Sequence, residues 1–369
     1  MRIAQVAPLI ESVPPKLYGG TERIVSYLTE ELVRQGHDVT LFASGDSVTA
    51  AELVPCCETA IRLDPVFNDP LPHHLMMVDK VRRMAHRFDV IHFHVDLIHI
   101  PLIRDMAAAT VTTLHGRLDL ADLQGFYRHF DDVPLVSISN HQRRPMPPVH
   151  WAGTVYHGLP KDLYRPTLKR TDGYLAFLGR ICPEKRPDRA IEIAKRTGIR
   201  LKIAAKVDAV DRPYFESRIR PLLDHPLIDF IGEIGESDKE AFLGNARALL
   251  FPIDWPEPFG LVMIEAMACG TPVIAWPCGS VPEVVAPGLT GFVVDSLDAA
   301  VRAVHAAGAL DRARVRRCFE TRFSVERMGA DYVAIYRRLL ARKKAAFRRA
   351  PVLGPLSQGQ ATADQPTAA

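Results

Sequence analysis

The stretch Trp255-Pro-Glu-Pro-Phe-Gly-Leu-Val-Met-Ile-Glu-Ala-Met-Ala-Cys-Gly-Thr-Pro-Val-Ile-Ala275 decides how the chain folds. The uninterrupted apolar and small residues of Leu261–Cys269 predict a helix, and Gly270 provides its stop. Pro272–Ala275 predicts a short buried strand. A loop, a helix and a strand in this order are typical of a domain in which helices cover a parallel sheet.

The same alternation of buried strands and helices extends outward through the whole chain, and it restarts once. The first series predicts strands at Ile3–Leu9, Asp38–Ala43, Val90–His94, Val111–His115 and Leu135–Ser139, with a helix at Thr21–Gln35. The second predicts strands at Tyr174–Leu178, Leu201–Ala205, Asp229–Ile231 and Ala248–Pro252, with helices from about Asp188 and near Asp238–Asn245. The prediction is therefore α/β, with two Rossmann-like, doubly wound parallel-sheet domains facing a cleft.

The predicted division has an acceptor-side domain at 1–165 and a donor-binding domain at 166–324. A helix at 325–345 is expected to pack back toward the first domain, and the composition of 346–369 is typical of a disordered tail. Ligands of open parallel sheets bind beyond the carboxyl ends of the strands. The functional residues should therefore lie on loops that follow strands.

Charge and cysteine content exclude several classes of protein. The 369 residues carry a net charge of +3, and Arg337–Arg349 holds seven bases and no acid. Outside that segment 39 of the 46 bases remain against 43 acids, which argues against a nucleic-acid-binding body. The segment is either the solvated end of a helix or a weak contact with an anionic membrane surface.

The location predicted from the sequence is cytoplasmic, or peripheral to the inner face of the membrane. The six cysteines form no C-x-x-C pair, which is typical of reduced thiols. Glu11 interrupts the first apolar run, which therefore predicts a strand and not a secretory signal. No run of 18 apolar residues is present.

Two acids in the opening stretch have the spacing needed to hold a ligand at two points. Glu257 precedes the predicted helix between two prolines that restrict its backbone, and Glu265 follows two turns into the helix. Gly260 permits close approach of a ligand, and free N–H groups at the helix start favour an anion. The alternative interpretation is a helix-capping acid and a surface acid.

In this setting the sequence resembles the family 4 glycosyltransferases, retaining enzymes of the GT-B fold. Their signature E-P-F-G-x-x-x-x-E-A-M-A-x-G-x-P-V is matched by residues 257–273. The resemblance implies that Glu257 contacts the transferred sugar and Glu265 the nucleotide ribose. It also implies that Phe259, Gly260 and Leu261 line the donor site.

A second motif, Phe177-Leu-Gly-Arg-Ile-Cys-Pro-Glu-Lys185, supplies positive charge. A departing diphosphate gains negative charge, and Arg180 and Lys185 could neutralise it. Family members use the Arg and Lys of G-R-x-x-x-x-K in this way. Lys206, after the next strand, could add a third cation, unless it is only a surface lysine. No Asp-x-Asp pair is present, so we predict neither a metal nor any other cofactor.

The glycines of Tyr18-Gly-Gly-Thr-Glu22 lie between the first predicted strand and helix. Gly19 and Gly20 permit close approach of phosphate to a helix start, and Thr21 is a candidate N-cap. The alternative is a purely structural turn. The loop resembles the G-G-x-E loop that lies over the donor phosphates in the family. No G-x-G-x-x-G is present, which argues against a dehydrogenase.

Histidines follow two strands of the first half. His115, in Thr113-Leu-His-Gly116, could hydrogen-bond the transferred sugar, as the similar histidine of relatives does, or it could be structural. His92-Phe-His94-Val-Asp96 is similar to the start of a metallo-hydrolase site. The further histidine expected there is replaced by Leu97, so His94 and Asp96 are instead acceptor-side candidates.

The function predicted from these motifs is metal-independent, retaining transfer of a sugar from a nucleoside-diphosphate donor to an unidentified acceptor. By family habit UDP-glucose is the first expectation for the donor and GDP-mannose the second. The alternatives are a sugar phosphorylase or nucleotide-sugar epimerase of the same fold, and a non-catalytic protein that binds nucleotide sugars.

Overall fold

The computed structural model contains two parallel sheets in sequence order. It describes residues 1–16, 19–64, 66, 69–104, 106, 108–169 and 173–349. The first sheet has seven strands in the order β3-β2-β1-β4-β5-β6-β7, all parallel. These are β1 (Arg2–Val6), β2 (Asp38–Ser44), β3 (Glu52–Cys57), β4 (Val90–Phe93), β5 (Ala109–Leu114), β6 (Leu135–Ser137) and β7 (Trp151–Thr154).

The second sheet repeats the plan with six parallel strands in the order β10-β9-β8-β11-β12-β13. In each sheet the chain starts in the middle, builds to one edge and then crosses to the other side. The crevice of such a sheet lies where the strand order reverses, between β1 and β4 and between β8 and β11. The strands are β8 (Leu175–Arg180), β9 (Leu201–Lys206), β10 (Ile228–Gly232), β11 (Ala248–Phe251), β12 (Val273–Ala275) and β13 (Gly291–Val293).

Helices connect the strands and cover both sheets. In the first half they are α1 (Gly20–Arg34), α2 (Leu71–Met84), α3 (Ile100–Ile103) and α4 (Ala121–His129). In the second half they are α5 (Pro187–Thr197), α6 (Arg212–Tyr214), α7 (Glu236–Gly244), α8 (Leu261–Ala268), α9 (Val281–Val284), α10 (Leu297–Ala307), α11 (Arg312–Arg322) and α12 (Val325–Arg349). Among the described residues, no helix is long and apolar enough to cross a membrane.

The last helix, α12, returns to the first sheet and packs on α1 and β5. Its tyrosines Tyr332 and Tyr336 are completely buried. A Cβ atom added to Gly153 of β7 would lie 2.9 Å from Ile335 Cδ1, so the helix lies directly on the strand. The helix continues to Arg349, four residues beyond its predicted end, so the prediction of a tail from 346 is wrong for residues 346–349; the remainder of the predicted tail, from 350, lies outside the described residues.

The two-sheet fold class predicted from the sequence is confirmed, and every predicted strand is present within a few residues. Three strands that were not predicted, β3, β7 and β13, lie at or next to sheet edges. They lack a long buried apolar run because an edge strand is covered less completely. In β3 this position also accommodates Pro55, which cannot donate a ladder hydrogen bond.

Candidate active site

Glu257 and Lys185 meet in front of α8. Lys185 ends a short 3₁₀ turn after β8, and its Nζ donates a hydrogen bond to Glu257 Oε2. The indole Nε1 of Trp255 donates to the same oxygen at 2.9 Å. The Lys185 ammonium also lies 5.3 Å from the centre of the Trp255 ring. Glu257 and Lys185, which were predicted from two separate motifs, therefore lie in direct contact.

The backbone around Glu257 is held by the turn before α9. The amide of Ser280 donates to the Glu257 carbonyl at 3.0 Å. Gly279 has a φ of 60°, and a Cβ there would lie 2.2 Å from the Glu257 carbonyl oxygen, so no other residue fits. The carboxylate therefore projects from a rigid loop.

The start of α8 has the geometry expected of a ligand-facing helix end. Gly260 is its N-cap with a φ of 79°, and a Cβ there would lie 3.1 Å from the Phe251 ring. Phe259 is buried, and its carbonyl accepts from Ser280 Oγ at 2.6 Å. Leu261 Cδ1 lies 3.7 Å from the Cβ position of Gly20, so α8 faces the glycine loop of the first domain.

The glycine loop differs from the prediction in one detail. Gly19, not Thr21, is the N-cap of α1, and no side chain caps the helix there. The helix begins at Gly20, so Thr21 already lies in the first turn and cannot act as the cap. Tyr18 lies outside the described residues.

Glu265 is buried between two cations, one from each domain. Its Oε1 accepts from Arg23 Nη1 of α1 at 2.8 Å and from Lys239 Nζ of α7 at 2.9 Å. Burial tends to raise the pKa of Glu265, but Lys239 and Arg23 outweigh it and hold the pKa below its usual value. Arg23 also pairs with Glu236 at 3.0 Å, so it joins the two domains.

Arg180 and Lys206 are the last residues of the adjacent strands β8 and β9, and they lie side by side in register. Arg180 pairs with Asp211 at 3.3 Å and Asp208 at 3.6 Å, and Lys206 pairs with Asp208 at 2.9 Å. The bond from Lys206 is the main cause that lowers the pKa of Asp208. Arg180 and Lys185 therefore pair with different carboxylates, although they are only five residues apart in the chain.

His115 lies deeper, in a group of buried histidines. Its Nε2 lies 2.9 Å from His94 Nδ1, and its ring stacks on His157 with centroids 5.4 Å apart. His157 in turn contacts the Phe259 ring at a centroid distance of 4.8 Å. Burial lowers the pKa of His115 to about 3, so the imidazole is neutral.

The interpretation of His94 as an acceptor-side residue is wrong. Its Nε2 lies 2.7 Å from Gln5 Oε1 and its Nδ1 contacts His115, so both ring nitrogens have partners inside the protein. Asp96, the other candidate, is exposed. Within the described part of the chain, no three His, Cys, Asp or Glu side chains are grouped so that they could hold a metal ion.

Part of the basic segment Arg337–Arg349 makes contacts within the chain. Arg338 Nη2 donates to the Ala152 carbonyl at 3.0 Å, and Lys343 Nζ donates to the Met106 carbonyl at 3.2 Å. Arg342 Nη1 lies 2.9 Å from His150 Nε2. These bases therefore help to hold the last helix on the first domain. The side chains of residues 346–349 are outside the described part.

Arg186, directly after Lys185, has a φ of 52° in the left-handed region. Its guanidinium forms bonds to Asp188, with the shortest at 2.7 Å, and to Asp254 at 2.8 Å. These bonds hold a conformation that costs a non-glycine residue about 1 kcal/mol.

We expect Arg186→Ala to be less stable than Arg186→Gly by about 1 kcal/mol in urea unfolding. Both changes remove the same ion pairs, but only glycine relieves the left-handed backbone. Pro187→Ala, at the next position, is a control for disturbance of the start of α5. Equal stability of the Ala and Gly variants would contradict the proposed strain.

Glu22, the acid of the glycine loop, is buried at the start of α1. Burial, with a smaller contribution from Glu11, raises its pKa to about 7. The folded state therefore binds a proton more tightly than the unfolded chain, whose glutamate pKa is near 4.5. The stability that this proton provides is complete below pH 4.5 and is lost as the pH rises through 7.

We expect the free energy of unfolding to fall by about 3 kcal/mol from this group between pH 4.5 and 7.5. Glu22→Gln should remove this part of the pH dependence, because the amide does not titrate. Urea unfolding at a series of pH values measures the effect, with the exposed Glu58→Gln as control. An unchanged slope in Glu22→Gln would show that Glu22 does not titrate in this window.

The chain is similar to known glycosyltransferases along most of its length. The family model for Glycosyltransferase Family 4 matches residues 18–177, and that for Glycosyl transferases group 1 matches residues 161–315. The N-acetyl-alpha-D-glucosaminyl L-malate synthase of Bacillus anthracis is 25% identical over 311 residues, which cover 75% of this chain and 81% of that protein. The D-inositol 3-phosphate glycosyltransferase of Mycolicibacterium smegmatis is 32% identical over 200 residues, or 48% of this chain and 43% of that protein.

The fold is shared with solved glycosyltransferases. AviGT4, a glycosyltransferase involved in avilamycin A biosynthesis, superposes with a TM-score of 0.71 at 24% identity, covering 92% of this chain and 98% of its own. Two parallel-sheet domains of this kind define the GT-B class of glycosyltransferases. Within that class, the chain belongs to the family 4 glycosyltransferases.

Proposed function

We propose that the protein transfers a sugar from a nucleoside-diphosphate donor to an acceptor, with retention of configuration and without a metal ion. The observation that carries the proposal is the Lys185–Glu257 contact, which lies in front of α8 where that helix faces Gly20 of the other domain. This position combines a fixed cation, a rigid carboxylate and a helix N-terminus. Together they suit the two ends of a sugar diphosphate.

On the donor side, Lys185, Arg180 and Lys206 would bind the diphosphate with the first amides of α8. In the present arrangement their carboxylate partners Glu257 and Asp208 hold the cations in place. A bound diphosphate would compete for these cations and release Glu257 to accept hydrogen bonds from the sugar. Among the described residues, both cations bonded to Glu265 reach Oε1, which leaves Oε2 for a ribose hydroxyl.

On the acceptor side, the substrate would enter from the first domain, past Gly20 and His115. Retention follows if the acceptor attacks the face of the sugar from which the diphosphate leaves. The neutral His115 is then a hydrogen-bonding partner of the sugar and not a base. Closure of the two domains would exclude water and limit hydrolysis of the donor.

A thermal-shift panel of nucleoside diphosphates and their sugars tests the donor assignment. A ligand that binds the folded state raises Tm by mass action, so we expect UDP and UDP-glucose to stabilise the protein. GDP and GDP-mannose test the second expectation for the donor. Failure of every nucleotide and nucleotide sugar to shift Tm would contradict the proposal.

Transfer itself is tested by nucleoside diphosphate release and detection of an α-linked glycoside with a panel of polyol and sugar acceptors. We expect EDTA to leave the rate unchanged, because side-chain cations neutralise the diphosphate. Inhibition by EDTA that Mg²⁺ or Mn²⁺ reverses would contradict the metal-free part. A β-linked product from an α-linked donor would contradict retention.

A further inference from the structure

A continuous chain of buried hydrogen bonds links the last helix to His115. Tyr336 of α12 contacts Gln5 of β1, with 3.2 Å between the Gln5 Nε2 and Tyr336 hydroxyl oxygen atoms. Gln5 Oε1 lies 2.7 Å from His94 Nε2, and His94 Nδ1 lies 2.9 Å from His115 Nε2. Gln5 and Tyr336 are completely buried and His94 is 2% exposed. Solvent therefore cannot substitute for any of these bonds.

Because Gln5 Nε2 is the amide atom that faces the Tyr336 hydroxyl, the direction of the chain follows from this bond, and with it the position of the proton on each imidazole. Gln5 Nε2 donates to the Tyr336 hydroxyl, so Gln5 Oε1 accepts and His94 Nε2 must carry hydrogen. Burial holds the pKa of His94 well below its usual value, so its ring carries one proton and Nδ1 is an acceptor. His115 Nε2 must therefore donate to His94, and His115 Nδ1 is left with a lone pair.

The other arm of the network agrees with this direction. Because the Tyr336 hydroxyl accepts from Gln5, its own proton is available to His92 Nδ1, 2.7 Å away. His92 Nε2 then carries hydrogen and donates to Thr113 Oγ1 at 2.7 Å. Apart from His115 Nδ1, the ring nitrogens of both arms thus have partners in one consistent proton order.

The chain ends on an atom without a partner. His115 Nδ1 is buried and has no hydrogen-bond partner among the described residues. His115 follows the carboxyl end of β5, and its ring stacks on His157, which touches Phe259 just before α8. An unsatisfied buried acceptor is costly, and its place beside the proposed donor site suggests that a ligand completes it.

We propose that Gln5, oriented by Tyr336, is a positioning residue that holds His115 as the Nε2–H tautomer, so that Nδ1 accepts a hydrogen bond from a ligand hydroxyl. The inference rests on the proposed function, since that places a sugar beside His115. It gives the site a preference for a hydroxyl donor over a group that can only accept. Because Tyr336 orients Gln5, the last helix, α12, also contributes to this preference.

The tautomer can be measured without any ligand. Long-range ¹⁵N–¹H correlation spectra of the ¹⁵N-labelled full chain distinguish protonated from bare ring nitrogens, and His115→Gln identifies the signals of His115. We expect Nε2–H with bare Nδ1 in the wild type, and the Nδ1–H form to become populated in Gln5→Met. Nδ1–H in the wild type, or an unchanged tautomer in Gln5→Met, would overturn the inference.

Two further variants separate positioning from simple destabilisation. In Gln5→Glu a carboxylate still accepts from His94 Nε2, so the wild-type tautomer is expected. Thr112→Val removes a buried hydroxyl of β5, the strand that precedes His115. This hydroxyl contacts His99 Nε2 at 2.7 Å and takes no part in the hydrogen bonds that lead to His115. If the His115 tautomer also changed in Thr112→Val, the loss of any buried hydrogen bond in this core would be enough to change it. That result would overturn the role of Gln5.

The kinetic readout uses UDP release from UDP-glucose. We expect Gln5→Met to lower kcat/KM about tenfold, as for one lost hydrogen bond, and Gln5→Glu to recover most of it. Thr112→Val should keep the wild-type value. If the wild type transfers no sugar at all, the proposed function fails while the tautomer remains readable. If the wild type transfers sugar but its His115 carries the proton on Nδ1, the proposed function stands and only this inference fails.

Discussion

Replacing Lys185 by alanine is expected to lower kcat about 1000-fold while changing KM for the donor much less. The charge that Lys185 would neutralise grows as the bond between sugar and diphosphate breaks, so its interaction is strongest in the transition state. With UDP-glucose as the donor, initial rates of UDP release over a range of concentrations separate the two constants. The loss is expected to persist at saturating donor.

The control for Lys185→Ala is Lys195→Ala on α5, a lysine of the same domain with no place in the site. It should retain wild-type kinetics. Since Lys185 also holds Glu257, the Lys185→Ala protein needs a stability measurement beside its kinetics. A raised KM with unchanged kcat would show that Lys185 only helps to bind the donor, and the proposed role in the departure of the diphosphate would be wrong.

The sequence predicted the fold and the positions of Glu257 and Lys185 because both depend on local patterns. Buried strands carry apolar runs, and a glycine, a proline or an acid at a strand end can be read from its neighbours alone. The contact between these two residues stays within one domain, since β8 and β11 pair directly. Motifs that follow two paired strands are therefore brought together when the sheet forms.

The partners that hold these residues could not be predicted, because they come from distant parts of the chain. Arg23 and Lys239 reach Glu265 across 242 and 26 residues, and neither lies in a motif. Asp208 and Asp211 follow β9 as two ordinary surface acids in the sequence. The signal available in the sequence was a charged residue directly after a predicted strand. It identified Lys206, whereas Asp208 and Asp211 lie further along the loop.

His115 illustrates the same limit for a buried group. Its position at a strand end was enough to propose it as a ligand contact. The network that fixes its proton depends on Gln5 and Tyr336, which are 331 residues apart. In the sequence, a glutamine inside an apolar strand and a tyrosine on the apolar face of a helix are each explained by core packing alone. Only the folded chain shows that they meet.

Glu265→Gln is expected to lower the free energy of unfolding by about 3 kcal/mol and to weaken UDP binding at least tenfold. The stability loss arises because Arg23 and Lys239 lose the buried carboxylate between them and keep only Glu236, which is partly exposed, as a counter-charge. The affinity loss arises because an amide is a poorer acceptor for ribose hydroxyls than a carboxylate. Urea unfolding and isothermal titration calorimetry with UDP measure the two effects.

Arg23→Met separates the two effects of Glu265→Gln. It removes the cation of the first domain but leaves Glu265 paired with Lys239, so the carboxylate stays charged and in place. We expect a loss of stability with UDP affinity within about threefold of wild type, since the proposed ribose contact would be kept. If instead Glu265→Gln bound UDP as tightly as the wild type, Glu265 would serve only to join the two domains, and the nucleotide would have to be held by other groups.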